Sequence, residues 1–135
     1  MTPQQYASIH RFATKLRRED DRVEDACARV VYWEQKLIAV DPLDDATYIP
    51  KLIHRLQCRL TEADKIFNKA HERFTLCNTM LARRLEQVGR KMVIVDDYVY
   101  ILGDHREITW HSGVADAVKE ATNFALPSDR LNLEA

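Results

Sequence analysis

Apolar residues recur every seven positions through most of the first two-thirds of this sequence, and no other feature restricts its possible folds so strongly. One series runs Ile9, Leu16, Val23, Val30, Leu37, and a second follows three residues behind as Phe12, Glu19, Ala26, Trp33, Val40. After a break the two series resume as Ile53, Leu60, Phe67, Phe74, Leu81, Val88 and Leu56, Ala63, Ala70, Cys77, Arg84. A 3-4 spacing sustained over about five heptads is what a narrow coiled-coil seam between helices requires.

The break carries Asp41-Pro42-Leu43-Asp44-Asp45 and then Pro50. Proline disfavours helical geometry in the residue before it but suits an early helical position, so the chain turns here and starts a second helix. An antiparallel hairpin in which facing positions sum to 93 sets Ala26 against Phe67, Val23 against Ala70, Val30 against Ala63 and Leu16 against Cys77. Large side chains then meet small ones through the middle, as close packing demands. A shift of one heptad loses the match at Ala26. Glu19 is the discordant member: it occupies a seam position opposite Phe74, where reaching a basic partner such as Arg73 would let it fix the register at some cost in stability.

The helix ends are marked. Thr2, Pro3 and Gln5 form a capping signature with proline at the first helical position, which predicts a helix from about residue 3 to 40. Gly89 is the natural C′ residue of a second helix ending near Val88. Beyond it the period changes from 3.5 to 2. Met92–Val95 and Tyr98–Leu102 read as strands joined by Asp96-Asp97, and residues 107–111 read as a third strand after the turn at Gly103–Arg106. The first two strands are apolar on both faces, so both faces should be covered. Tyr6 and Ile9 at the end of the hairpin, or a second subunit, are candidate covers for one face. A short helix at about 114–124 is the candidate for the other. The expected fold class is therefore α+β, mostly α. A long antiparallel hairpin occupies residues 1–90, and a three-stranded meander with a short C-terminal helix occupies 91–135. The last residues, from Leu126-Pro127 onward, read as a tail, or, with Leu131 and Leu133 alternating with polar residues, as a strand that augments a neighbour's sheet.

Charge is unevenly placed although the formal net charge is −1. Residues 51–91 carry ten basic and four acidic groups, and residues 92–135 carry three basic and eight acidic ones. No apolar run approaches the roughly 20 residues needed to cross a bilayer. The opening residues lack the basic and apolar segments of a secretory signal. Three cysteines, Cys27, Cys58 and Cys77, stand at wide separations, which suggests reduced thiols and a cytoplasmic protein.

Three groups of residues are candidates for function. Val31, Tyr32 and Ile38 widen the apolar stripe of the first helix, and Leu52, Ile66, Met80 and Leu85 widen that of the second. A single partner helix cannot cover so broad an arc. Val31, Tyr32, Ile38, Ile66 and Met80 are thus an expected protein interface, with a homo-oligomer, a dimer foremost, as the expected assembly. The competing reading folds the loop back over them through Leu43, Tyr48 and Ile49. Arg83, Arg84, Arg90 and Lys91 gather at the end of the second helix, beside Arg17 and Arg18 of the first. There they complement the helix dipole, or form a patch for nucleic-acid phosphates. His54 and Cys58, four apart, could supply half of a zinc site, but no second pair accompanies them.

Enzyme chemistry finds no support. With only Gly89, Gly103 and Gly113 there is no glycine-rich phosphate loop, and no Gly-x-Ser-x-Gly or His-Glu-x-x-His occurs. No cofactor is expected. The reading is a non-enzymatic assembly or adaptor protein that self-associates through its hairpin and offers a β-rich head to a protein partner. The alternative is a dimeric DNA-binding accessory protein using the basic patch.

Overall fold

The computed structural model describes residues 1–40 and 49–113. Two long helices, α1 (Pro3–Ile38) and α2 (Ile49–Gln87), precede a three-stranded antiparallel sheet of β1 (Met92–Val95), β2 (Tyr98–Leu102) and β3 (Ile108–Ser112). The fold is the expected hairpin and meander. The turn expected at 41–48, with Leu43 and Tyr48, the helix expected at 114–124 and the tail expected from Leu126 onward lie outside the described residues.

Local chemistry sets the helix ends. Thr2 Oγ1 accepts from the Gln5 amide at 3.2 Å while Gln5 Oε1 accepts from the Thr2 amide at 2.8 Å, a reciprocal capping box with Pro3 at the first helical position. At the other end Gly89 adopts φ +68°. Its amide donates to the Glu86 carbonyl at 3.1 Å, and the Arg90 amide donates to the Leu85 carbonyl at 3.0 Å. These two bonds make a Schellman closure, which satisfies carbonyls that a helix end would otherwise orphan.

The chain divides into two compact units, each built from a part of both helices. The first holds Met1–Arg17 together with the chain from Thr75 onward. Its strands run in the order β1-β2-β3, with Val93 opposite Tyr100 and Tyr100 opposite Trp110. Val93, Val95, Tyr100 and Ile108 share one face of this sheet and are buried. That face meets the helices: the Tyr100 hydroxyl donates to the Ala13 carbonyl at 3.2 Å, and the Tyr6 hydroxyl donates to the Ile94 carbonyl at 3.2 Å. Ile9, Leu16, Leu81 and Leu85 are fully buried in this unit. Each contributes about 1.5–3 kcal/mol from the apolar surface it removes from water. Met92 and Val99 on the second face are buried too, while Ile94 and Ile101 are half-buried.

Asn78 ties α2 to the third strand from both sides of its amide. Its Nδ2 donates to the Arg106 carbonyl at 3.0 Å and its Oδ1 accepts from the Ile108 amide at 2.9 Å. Arg106 holds a left-handed φ of 64° in this turn, and its Nε donates to Glu86 Oε1 at 2.6 Å.

Among its described residues, the second unit, Arg18–Phe74, draws its regular structure from α1 and α2 and holds no strand. Its core is correspondingly thin: Ala26, Leu56, Ala63, Ala70 and the helix-opening Ile49 are buried, and the larger seam residues Val23, Val30, Trp33, Leu60 and Phe67 are half-buried. Every one of them except Ile49 stands on the 3-4 series. Two helices alone can shield a seam and little beyond it.

Glu19 occupies its seam position, but it is buried where a wet seam is the expectation, and its partner is not Arg73. Its Oε1 meets Arg22 Nη1 at 2.9 Å, one turn away on the same helix. An i, i+3 neighbour needs no fixed geometry between helices, so it captures the carboxylate first. Oε2 is buried with no hydrogen-bond partner.

Candidate functional site

The expected apolar interface is only partly assembled. Ile38 is 82% exposed, Val31 43% and Tyr32 51%. Val31 and Ile38, seven apart, stand one above the other on the same flank of α1, with exposed Cys27 four residues before Val31. Tyr32 points elsewhere: its ring meets Trp33 edge-on at 4.9 Å and carries the Lys36 ammonium at 5.5 Å. Ile66 is exposed but lies on a different surface, in a groove beside Arg22 and Arg29. Met80 and Leu52 are half-buried and Leu85 is fully buried, so these contribute little free surface. Leu76, 62% exposed, is a further apolar residue outside both seam series, a property it shares with Val31, Ile38 and Ile66.

The basic residues expected at the hairpin end are also divided in their use. In the first unit the Arg17 guanidinium stacks over the Tyr98 ring at 4.0 Å and reaches Asp96 at 4.0 Å, and His10 meets the same aspartate at 3.4 Å. Arg84 lies over Phe12 at 5.7 Å and donates to Gln87 at 3.3 Å. Both are half-buried and already engaged within the fold. Arg83 and Lys91 are exposed and Arg90 is half-buried. Arg18, also exposed, belongs to the second unit.

The environment of Arg17 explains two shifts. Burial opposes the Arg17 charge, but the neighbouring phenols of Tyr100 and Tyr98 outweigh it, so the guanidinium is held more firmly protonated than usual. Burial raises the Tyr100 phenol above its ordinary range despite the nearby cation, so it stays a neutral hydrogen-bond donor. These are supporting contacts of the core in this unit.

A different surface gathers more free charge. In the second unit a groove of about 290 Å³ is lined by Arg22, Asp25, Ala26 and Arg29 from α1 and by Ile66, Lys69, Ala70 and Arg73 from α2. Arg22 and Arg73 sit at one end, Arg29 and Ile66 at the other. This pairing is what the sequence register requires for positions beside the Val23–Ala70 and Ala26–Phe67 layers. Ala26 and Ala70 floor the groove because a methyl is the whole of each side chain. Among the described residues, Arg29, Lys69 and Arg73 form no ion pair.

Two further clusters of polar side chains lie on the helices. Cys58 Sγ lies 3.7 Å from His54 Nε2, so the expected pair does meet. Among the described residues no other cysteine, histidine or carboxylate joins it in a ligand set. Asp20, Asp21 and Glu24 bring their carboxylates within 4.8 Å of one another. Burial first, and the adjacent Asp21 charge second, push the Asp20 carboxyl above its ordinary range. Comparison with protein-family models, curated proteins and solved structures gives no match, so any functional reading rests on these residues alone.

Proposed function

We propose that this protein is a non-enzymatic assembly module. Two copies associate through the outer face of α1, and the sheet offers a contact to a further protein. The observation that carries this reading is the exposed pair Val31 and Ile38, stacked on one flank of a helix whose own seam is already turned inward. The hairpin then acts as a coiled-coil strut. Closed two-fold pairing is the simplest arrangement that covers such a stripe, because the same patch serves both partners. The exposed thiols of Cys27 and Cys58, outside any disulfide, fit a reducing compartment such as the cytoplasm.

Light scattering coupled to size exclusion tests this. At high micromolar concentration the chain should run as a dimer, and Val31→Glu with Ile38→Glu should run as a folded monomer. A strictly monomeric parent chain refutes the proposal. A second reading, binding to nucleic acid, is favoured by the basic groove and concerns a separate surface.

A further inference from the structure

The groove at Arg22, Arg29, Lys69 and Arg73 is the centre of a longer basic strip. Beside the seam, on the same side of the helix pair in the second unit, α1 carries Arg18, Arg22, Arg29 and Lys36, and α2 carries Arg55, Arg59, Lys69 and Arg73. All eight are exposed. The exposed acids at these positions are Asp25 and Glu62, so eight basic and two acidic groups leave this side at +6, or +5 once the buried Glu19 that pairs with Arg22 is counted. The seam-flanking positions on the opposite side hold Asp20, Glu24, Glu34 and Asp64 with no lysine or arginine, giving −4. A chain of net charge −1 has thus sorted its charges by flank, although nothing in hairpin packing requires it.

We propose that this flank binds the phosphate backbone of duplex DNA without reading its sequence. Four properties point to that ligand. Six of the eight cations are arginines, whose planar fork matches a phosphate with two parallel hydrogen bonds. They are spread along two rigid helices; Arg22 and Arg29 alone stand about 10 Å apart along α1, at a rise of roughly 1.5 Å per residue. A stiff row of cations suits a stiff row of anions. The alanine floor lets a phosphate sink between the guanidinium groups instead of resting on bulky side chains. No aromatic ring lines the groove, and the exposed Tyr32 ring beside the strip already meets Trp33 and Lys36, so the groove offers no platform for stacking unpaired bases, which favours duplex over single strands. With Ile66 as the only large apolar side chain in the lining, the groove also lacks the apolar wedge that holds an amphipathic surface in a bilayer.

This inference is independent of self-association, since Val31 and Ile38 lie on the acidic flank. It differs too from a patch at the hairpin end, where Arg17 and Arg84 are held by Tyr98 and Phe12.

The experiment is fluorescence anisotropy of the full chain with a labelled random-sequence 30-base-pair duplex, at sodium chloride concentrations from 50 to 200 mM. If about four phosphates are contacted, binding should weaken roughly 150-fold over that range, from a slope near 0.9 per phosphate in the logarithmic salt plot. Arg29→Ala with Arg73→Ala should lower that slope by about two. Lys51→Ala with Lys65→Ala, away from the flank, should leave it unchanged. Far-UV circular dichroism monitors the helices, and Lys69→Ala, which should lower the slope by about one, replaces the double variant if that variant loses helix. Absence of binding at 50 mM salt overturns the proposal. So does binding that the groove variants leave intact, or binding to phosphatidylserine vesicles with none to the duplex.

Discussion

Replacing Glu19 by leucine should stabilise this protein. The carboxylate is 3% exposed. One oxygen is satisfied by Arg22, but the other is buried without a partner, and an unpaired buried polar atom costs about 1–3 kcal/mol. The compensating ion pair is weak, because the Arg22 side chain is 58% exposed and largely solvated, which limits its gain to about 1 kcal/mol or less. Leucine is close to glutamate in size, carries no polar atom and restores the 3-4 series, and exchanging a buried ion pair for apolar packing is commonly neutral or stabilising by about 1–4 kcal/mol. The expected gain for Glu19→Leu is therefore about 1–3 kcal/mol, a rise in melting temperature on the order of 5 °C for a chain of this size. Arg22→Ala should act in the opposite sense. It leaves the buried carboxylate unpaired and costs about 1 kcal/mol, reduced from the fully buried case because the guanidinium stands in water. Urea denaturation followed by helical ellipticity measures both. If Glu19→Leu unfolds at lower urea than the parent chain, Glu19 has an essential partner and the energetic assignment of this layer is wrong.

Two other outcomes follow from particular contacts. Asn78→Ala removes a donor to the Arg106 carbonyl and an acceptor for the Ile108 amide. It should cost about 2 kcal/mol, at roughly 1 kcal/mol per bond. The near-ultraviolet signal of Trp110 should decline before helix is lost on heating; simultaneous loss of both signals would count against a local role. Asp20→Asn tests pH linkage. Because the folded carboxyl titrates above its unfolded value, its favourable contribution is complete below about pH 4 and is lost as pH rises through the folded value. The asparagine variant should therefore melt higher than the parent at pH 7, with the difference shrinking toward pH 3. An advantage that is constant with pH would show that charge is not its cause.

What was legible in the chain follows from short-range rules. Thr2, Pro3, Gln5 and Gly89 make their capping bonds within a turn of the helix, so the residues alone specify them. The half-buried and buried positions of α1 and α2 in the second unit fall on the seam series almost residue for residue, since a helix pair has only one stripe to hide. Other features were not legible. Ala13, Ala82 and Leu85 stand off the seam yet are buried in the sheet-bearing unit, where Tyr100 reaches the Ala13 carbonyl. Apolar residues outside a seam can serve a sheet or a second molecule equally well, and periodicity does not say which. The candidate interface therefore contracted to Val31 and Ile38, with Tyr32 and Ile66 on other surfaces.

By itself, then, the sequence determined two helices, their ends, their seam and three strands, because propensity, capping and hydrophobic period act between near neighbours. Tertiary structure decided which cations are occupied and which are free. Arg17 was taken by Tyr98 and Asp96, while Arg29, Lys69 and Arg73, which form no ion pair among the described residues, came to line one groove with Arg22. A charge interacts with whatever is near in space, and for residues 22 and 73 that proximity exists only once the two helices lie side by side.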